Sequence, residues 1–278
     1  MKTSKFSVCV LLGFVLLTLP GTIFSQVNTG NTSYEPESGQ SGKDVVWVPT
    51  PHELVDVMIS MAKLTSKDFL VDLGSGDGRI VIAAAKKGIK AEGVEFNPDL
   101  VDYSKRSAAR EGVADRANFV NADFFEYDLS KATVITMFLL TDLNRRLKPR
   151  LLELRPGTRI ITNTFSIDDW DYDEKQVLND ANVSWTTAYM WIVPAKVEGL
   201  WRFNGGEMEL TQTYQMVSGN MKIGNATHNI TDGKLRGDVL TFTCNGVTYE
   251  CTVNNNGMKG TSKSAAGRSS SWEATRAK

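Results

Sequence analysis

Hydrophobic and polar positions divide the chain into four stretches. Phe6 to Pro20 is strongly apolar and follows a short basic start carrying Lys2 and Lys5. Gln26 to Lys43 is polar and rich in Asn, Ser and Gly, with nothing to pack. From Asp44 to Pro194, short apolar runs alternate with helix-like segments, the pattern of an α/β sheet with helices on its faces. Thr133 to Leu140 reads as a fully buried parallel strand, and Gly157 to Asn163 follows as another. Helices are expected over His52 to Lys63, Ile80 to Lys87 and Asp142 to Leu154. The first of these carries a helix-start signal: Thr50 at the cap, Pro51 at the first position, and Glu53 completing a Thr-x-x-Glu box.

After Pro194 the pattern shortens. Alternating segments are broken by Asn204-Gly205, Ser218-Gly219, Asp232-Gly233, Asn245-Gly246 and Asn256-Gly257. This spacing predicts an all-β module of about 80 residues, a small antiparallel barrel or sandwich. Its clearest hairpin runs Val239 to Cys244, turns at Asn245-Gly246, and returns over Val247 to Cys251. A two-residue turn pairs Cys244 with Val247 and Leu240 with Cys251. The two sulfurs are then too far apart for the ~4.4–6.8 Å Cα span of a disulfide, so both cysteines read as small buried hydrophobes. Ser262 to Ser271 reads as a mobile loop before a last strand at Trp272.

The chemistry concentrates between Asp68 and Glu95. A short strand, Phe69-Leu70-Val71, ends in Asp72, and glycines follow at alternate positions, Gly74, Gly76 and Gly78, with Ser75 and Asp77 between them. A helix and a second strand then lead to Glu95. This order is the first half of a nucleotide-binding α/β sheet, and Glu95 is placed to accept from both ribose hydroxyls of an adenosine group. A dinucleotide fingerprint wants a third glycine where this chain has Arg79.

The alternating GxGxG loop behind Asp72 resembles the first motif of class I S-adenosylmethionine (SAM)-dependent methyltransferases. That resemblance implies a Rossmann-like sheet of seven strands, closed by an antiparallel pair over Gln176 to Leu178 and Val183 to Val193, with SAM as cofactor. Backbone amides of the loop would receive the ligand's carboxylate and Asp72 its ammonium. Asp123, after the strand Ala117 to Val120, would read the adenine amino group, with Phe124 packed on the base. Trp47-Val-Pro-Thr-Pro51 ahead of the loop is similar to an archaeal and mitochondrial protein-lysine methyltransferase branch, in which this segment, Pro49 and Thr50 included, lies over the cofactor. The likeness covers Val46 to Trp170, about half of the chain. One departure stands out: many relatives carry His-Asp before the phenylalanine after the fifth strand, and this chain has Asn163-Thr164 before Phe165.

The resemblance implies methyl transfer to a nitrogen nucleophile such as a protein lysine. A small-molecule or lipid acceptor, or an exported binding protein without catalysis, is the alternative. Methyl transfer from a sulfonium needs alignment in a dry pocket. Phe138, Leu139, Leu140, Phe165 and Trp170 are the expected pocket walls and Asn163 an orienting acceptor; no general base is evident.

The basic start, the apolar run and a cleavage site within Gly21 to Ser25 read as a secretory signal peptide, too short to span a bilayer. The expected organisation is therefore a signal peptide at 1–25, a disordered linker at 26–43, a methyltransferase domain at 44–194 and a β-domain at 195–278. The body is expected outside the cytoplasm, with no membrane span after cleavage. Two histidines, His52 and His228, lack metal-ligand spacing, so no metal is expected. Near balance of 31 basic and 32 acidic side chains adds no general pull toward nucleic acid. Arg145, Arg146, Lys148, Arg150 and Arg155 read as a solvated helix face. The glycine pair of Gly233 to Gly237 and Gly199-Leu200-Trp201 are loosely similar to lipocalin-like barrels.

Overall fold

The computed structural model of the chain describes residues 34–180 and 184–277. The expected signal peptide, residues 26–33 of the expected linker, and Val183 lie outside the described residues. Residues 34–43 are part of the folded body rather than a linker. Gln40 binds the Tyr34 hydroxyl and exchanges backbone bonds with the Trp47 region, and Lys43 pairs with Asp123. These polar side chains find long-range partners that composition does not disclose.

The first sheet contains β1 (Phe69–Leu73), β2 (Lys90–Glu95), β3 (Ala117–Asn121), β4 (Val134–Met137), β5 (Arg159–Asn163), β6 (Glu174–Val177) and β7 (Thr187–Ile192). Their order is β3-β2-β1-β4-β5-β7-β6, parallel from β3 to β5, with β7 antiparallel to both neighbours. Helices α1 (His52–Met61), α2 (Arg79–Lys86), α3 (Pro98–Arg110) and α4 (Thr141–Leu152) cover it. Successive strand residues face opposite sides. Leu70 and Met190 join an apolar cluster with α1 and α2, whereas Val71, Leu73 and Trp191 join one with α4. Both faces are covered, as a parallel sheet requires.

Two helix starts depart from expectation. The Thr50 capping box does not form: Pro51 precedes α1 with no side-chain cap hydrogen bond. Thr50 is buried instead, its carbonyl accepting from Arg79 Nη1 at 2.6 Å and its hydroxyl from Asn163 Nδ2 at 3.2 Å. Helix α3, absent from the expectation, has clear local support. Asn97 caps it by accepting from Asp99 N at 2.9 Å, and Pro98 opens it.

The second half is a closed antiparallel barrel of β8 (Gly199–Phe203), β9 (Gly206–Thr213), β10 (Met216–Ile223), β11 (Ala226–Arg236), β12 (Val239–Cys244), β13 (Val247–Asn254), β14 (Gly257–Ser264) and β15 (Ser269–Arg276). Pairing of β8 with both β9 and β15 removes the open edges. The hairpin register is Cys244 to Val247 and Leu240 to Cys251, and both cysteines are free and buried. Burial pushes the Cys251 thiol up to about 12. Trp201, Met221, Leu235, Leu240 and Met258 fill the interior with Phe242 and Tyr249, whose rings stack at 4.7 Å. The expected loop over Ser262 to Ser271 is instead the end of β14 and the start of β15, with Ser262 opposite Ser270. Backbone pairing demanded by closure builds strands there without apolar side chains.

The barrel meets the sheet through the β9–β10 turn. Trp170 Nε1 donates to Gln215 Oε1 at 2.9 Å, and Gln215 Nε2 donates to the Asp171 carbonyl at 2.8 Å. The Tyr214 ring stacks on Trp170 at 5.9 Å, and its hydroxyl donates to Asp169 Oδ1 at 2.8 Å. Lys148 binds Asp168, Asp169 and Tyr214 together. Burial opposes its charge, but these partners prevail and hold the ammonium above its ordinary range. Among the described residues, no helix is long and apolar enough to cross a membrane.

Gln215→Leu keeps the side chain's bulk and strands a buried indole N–H and a carbonyl, each worth about 1–3 kcal/mol when unsatisfied. The expected outcome is a lower urea midpoint, read by tryptophan fluorescence, with a larger loss than for the exposed Met216→Leu.

Candidate functional site

A cleft opens at the C-terminal ends of β1, β2 and β4, where open α/β sheets bind ligands. It gathers the sequence-predicted Pro49, Thr50, Asp72, Gly74, Ser75, Asp77, Glu95, Asp123, Phe124, Phe138 and Leu139. The strand ends deliver the acids, and the segment from Gly42 to Thr50 forms the facing wall.

Glu95 organises the glycine loop. Its Oε2 accepts from Gly76 N at 2.9 Å and its Oε1 from Asn97 N at 2.9 Å. Gly76 has φ +55°, and a Cβ there would meet the Trp47 indole at 2.1 Å, so glycine is required for both backbone and space. Gly78 stands outside the cleft. It begins α2 at φ +81°, packed so that a Cβ would lie 2.6 Å from the Phe119 ring. Its role is the turn.

The expected use of loop amides is only partly available. Gly74 N and Ser75 N donate to the Val94 carbonyl, Gly78 N to the Ser75 carbonyl, and Gly76 N to Glu95. The cationic group on this side is Arg79, which lines the cleft, binds Asp77 at 3.0 Å and reaches the Thr50 carbonyl. Arg79 therefore joins the site as a residue the sequence reading passed over.

Asp72 is buried beneath the loop, with Oδ1 accepting from the Thr136 hydroxyl at 2.7 Å. Burial raises its pKa to about 7, against the Thr136 bond and with help from the charges of Asp77 and Glu95. Asp123 is held by Lys43, whose hydrogen bond lowers its pKa; the same ammonium lies 4.8 Å from the centre of the Phe96 ring. Lys43, Trp47 and Phe96 complete the wall. Of these, Trp47 had a signal in the Trp-Val-Pro-Thr-Pro run.

The remaining pocket candidates divide. Asn163 is fully buried behind Thr50, and its side-chain Oδ1 accepts from the Thr164 hydroxyl at 2.8 Å. Phe165 lies outside the cleft lining, one ring further out, 6.0 Å from Phe138. Leu140 precedes α4 with 48% of its surface exposed and forms no wall. Trp170 faces the barrel rather than the cleft, because Gln215 satisfies its indole there. Among the described residues, no group of three His, Cys, Asp or Glu is placed to hold a metal ion.

These groups fit an adenosyl amino-acid ligand. Glu95 keeps acceptor capacity for hydroxyls, Asp123 for an amino group, and Asp72 for an ammonium. Ser75 Oγ is buried in the cleft wall with no hydrogen-bond partner.

A family model described as the ANTKMT methyltransferase domain matches residues 72–174. A protein-lysine N-methyltransferase of Saccharolobus islandicus is 43% identical over 152 residues, which are 54% of this chain and 94% of that protein. The adenine nucleotide translocase lysine N-methyltransferase of Mus musculus is 35% identical over 103 residues, 36% of this chain and 45% of that one. Among solved structures, an RNA methyltransferase of Salinibacter ruber in complex with S-adenosyl-L-homocysteine shares 42% identity at a TM-score of 0.51. That match covers 54% of this chain and 96% of the other.

Two expectations follow for SAM itself. Asp72 carries a proton until about pH 7, so its charge becomes available to an ammonium only as pH rises. SAM affinity measured by calorimetry should tighten from pH 6 to 8, and Asp72→Asn should weaken binding and flatten that rise. The sign for stability is opposite. The unfolded carboxyl releases its proton near its ordinary value of 3.8, so Asp72 lowers stability progressively between there and about 7. Separately, Lys43→Ala frees the Asp123 carboxylate, and stopped-flow mixing should show faster SAM association than in the unmodified chain.

Proposed function

The chain belongs to the class I SAM-dependent methyltransferases, in their protein-lysine branch, and on that premise we propose that it methylates lysine side chains of a protein. The observation that carries this is the 43% identity to a protein-lysine N-methyltransferase over 94% of that protein's length. The family model's match, residues 72–174, falls within the sheet and its cleft, and the barrel lies beyond it.

When bound, SAM supplies an electrophilic methyl on a sulfonium. The acceptor nitrogen uses its lone pair to form the N–C bond, the C–S bond breaks, and its electron pair stays on sulfur. A lysine ammonium must first lose a proton, and apolar surroundings favour the neutral amine. Phe138 and Leu139 provide such walls at the end of β4. Asn163 is already engaged with Thr50 and Thr164, so the proton is assigned to solvent rather than to a side-chain base.

Of the basic residues of α4, Lys148 and Arg150 are engaged within the fold and do not favour an RNA acceptor, whereas Arg145 and Arg146 stay exposed. Arg145 pairs with Asp142 at 2.9 Å, Arg146 lies 3.9 Å from the Phe125 ring centre, and Lys148 binds Asp168 and Asp169. Arg150 donates to the carbonyls of Phe124, Phe125 and Tyr127. The export expectation supports a protein acceptor outside the cytoplasm, and it rests on the basic start and apolar run.

The test uses tritium-labelled SAM with separate protein and RNA pools. Label on protein, located on lysine by mass spectrometry and lost in Glu95→Ala, is the expected result. Label confined to RNA, or found on protein residues other than lysine, overturns the proposal.

A further inference from the structure

Three aromatic rings meet beside the cleft without belonging to any apolar cluster of the fold. Phe138 follows β4 and lines the cleft, Phe165 follows β5, and Trp185 precedes β7. Their centroids form a nearly equilateral triangle: 6.0 Å between Phe138 and Phe165, 5.6 Å between Phe138 and Trp185, and 5.9 Å between Phe165 and Trp185. All three keep solvent exposure, and Trp185 shows 41% of its surface. Ordinary core packing would have buried them.

The backbone on both sides holds the rings at some cost. Thr164 has φ +60° and Trp185 φ +62°, conformations unfavourable to residues with a Cβ. Thr164 sits in a tight turn closed by Phe165 N donating to the Asn163 carbonyl at 2.6 Å. The Thr162 hydroxyl and Asn144 Nδ2 then fix the Phe165 carbonyl, at 2.7 and 3.3 Å. Thr164 N donates to the Thr187 carbonyl at 2.7 Å, which links this turn to the strand that follows Trp185. Backbone strain of this kind clusters at functional sites.

We infer that Phe138, Phe165 and Trp185 form the seat for the acceptor's cationic head, and that Trp185 governs how many methyl groups one lysine receives. The inference rests on the lysine reading above. A cation on the exposed side of a triangle with these separations can lie within roughly 6 Å of more than one ring centroid. A lysine arrives as an ammonium, gives one proton to water before its lone pair attacks, and leaves each transfer as a methylated ammonium, which binds to aromatic rings without needing N–H donors. Each added methyl group replaces one hydrogen on nitrogen; one proton goes to water per cycle, until the trimethylated product has no N–H left to give up. A carboxylate partner would lose its hydrogen bonds as hydrogens are replaced. An aromatic seat loses none, so it retains mono- and dimethyl-lysine for further transfer.

The test has two arms on the full chain. In the first, calorimetry measures the tetramethylammonium ion as a probe in the presence of S-adenosylhomocysteine. Trp185→Leu, which keeps apolar bulk, and Trp185→Ala should each weaken binding by roughly three- to tenfold, and Trp185→Phe by less. In the second, peptides acetylated at their N-terminus and carrying one lysine that is unmodified, monomethylated or dimethylated at Nζ serve as acceptors, and mass spectrometry counts the methyl groups. Trp185→Leu should raise KM most for the dimethylated peptide and shift products toward monomethyl-lysine, with SAM affinity unchanged. Equal tetramethylammonium binding by the unmodified chain and Trp185→Leu, or an unchanged product distribution, overturns the inference. Cation binding that depends on Trp185, with no transfer to any lysine peptide or protein, would instead overturn the lysine reading and leave the aromatic seat standing.

Discussion

One carboxylate holds the cofactor cleft together. Glu95, at the end of β2, accepts from Gly76 in the loop after β1 and from Asn97 at the start of α3. Hydrogen bonds to a charged group are each worth about 1.5–3 kcal/mol, and these two tie the loop after β1 to the turn between β2 and α3, 19 positions on. The loop can accept the arrangement only because Gly76 has no side chain to meet Trp47. Around this centre the cleft is crowded with negative charge. Arg79 offsets it at Asp77 and Lys43 at Asp123, while buried Asp72 relieves it by retaining a proton. With these charges offset, the cleft offers acceptor oxygens to a ligand that brings hydrogen-bond donors, as SAM does.

The segment after β5 connects the two halves. Phe165 faces the aromatic group beside the cleft, and five positions later Trp170 inserts against the β9–β10 turn of the barrel. Asn144, from α4, fixes the backbone between them by donating to the Phe165 and Ser166 carbonyls. The barrel thus abuts the segment that shapes the outer cleft, and its packed interior suits a supporting body better than a container for a ligand.

Much of this was legible in the chain. Alternation between short apolar runs and helix-like stretches disclosed the sheet, because buried parallel strands must be apolar on both faces. The Asn245-Gly246 turn disclosed the hairpin register, since a two-residue turn leaves no freedom in the pairing. The acids of the cleft were readable from their places at strand ends. Helix α3 escaped because its exposed faces are strongly polar, although Asn97 and Pro98 wrote its beginning plainly. Thr50 was misassigned because its local helix signal competes with two distant partners, Arg79 and Asn163.

What the sequence determined by itself is whatever short-range rules control: strand and helix periods, turn geometry, and the glycine loop with its flanking acids. Those features depend on neighbours within a few residues, and the chain states them directly. Tertiary structure alone decided which way side chains of mixed character face. Trp170 went to the barrel because Gln215, 45 positions away, satisfies its buried indole. Lys43 went to the cleft because Asp123 lies there, 80 positions on. Trp185 reached Phe138 and Phe165 only because β7 runs back antiparallel beside β5. In each case the partner is set by the closing of the sheet or the barrel, and a buried polar atom or an aromatic face takes the partner that this closure brings within reach.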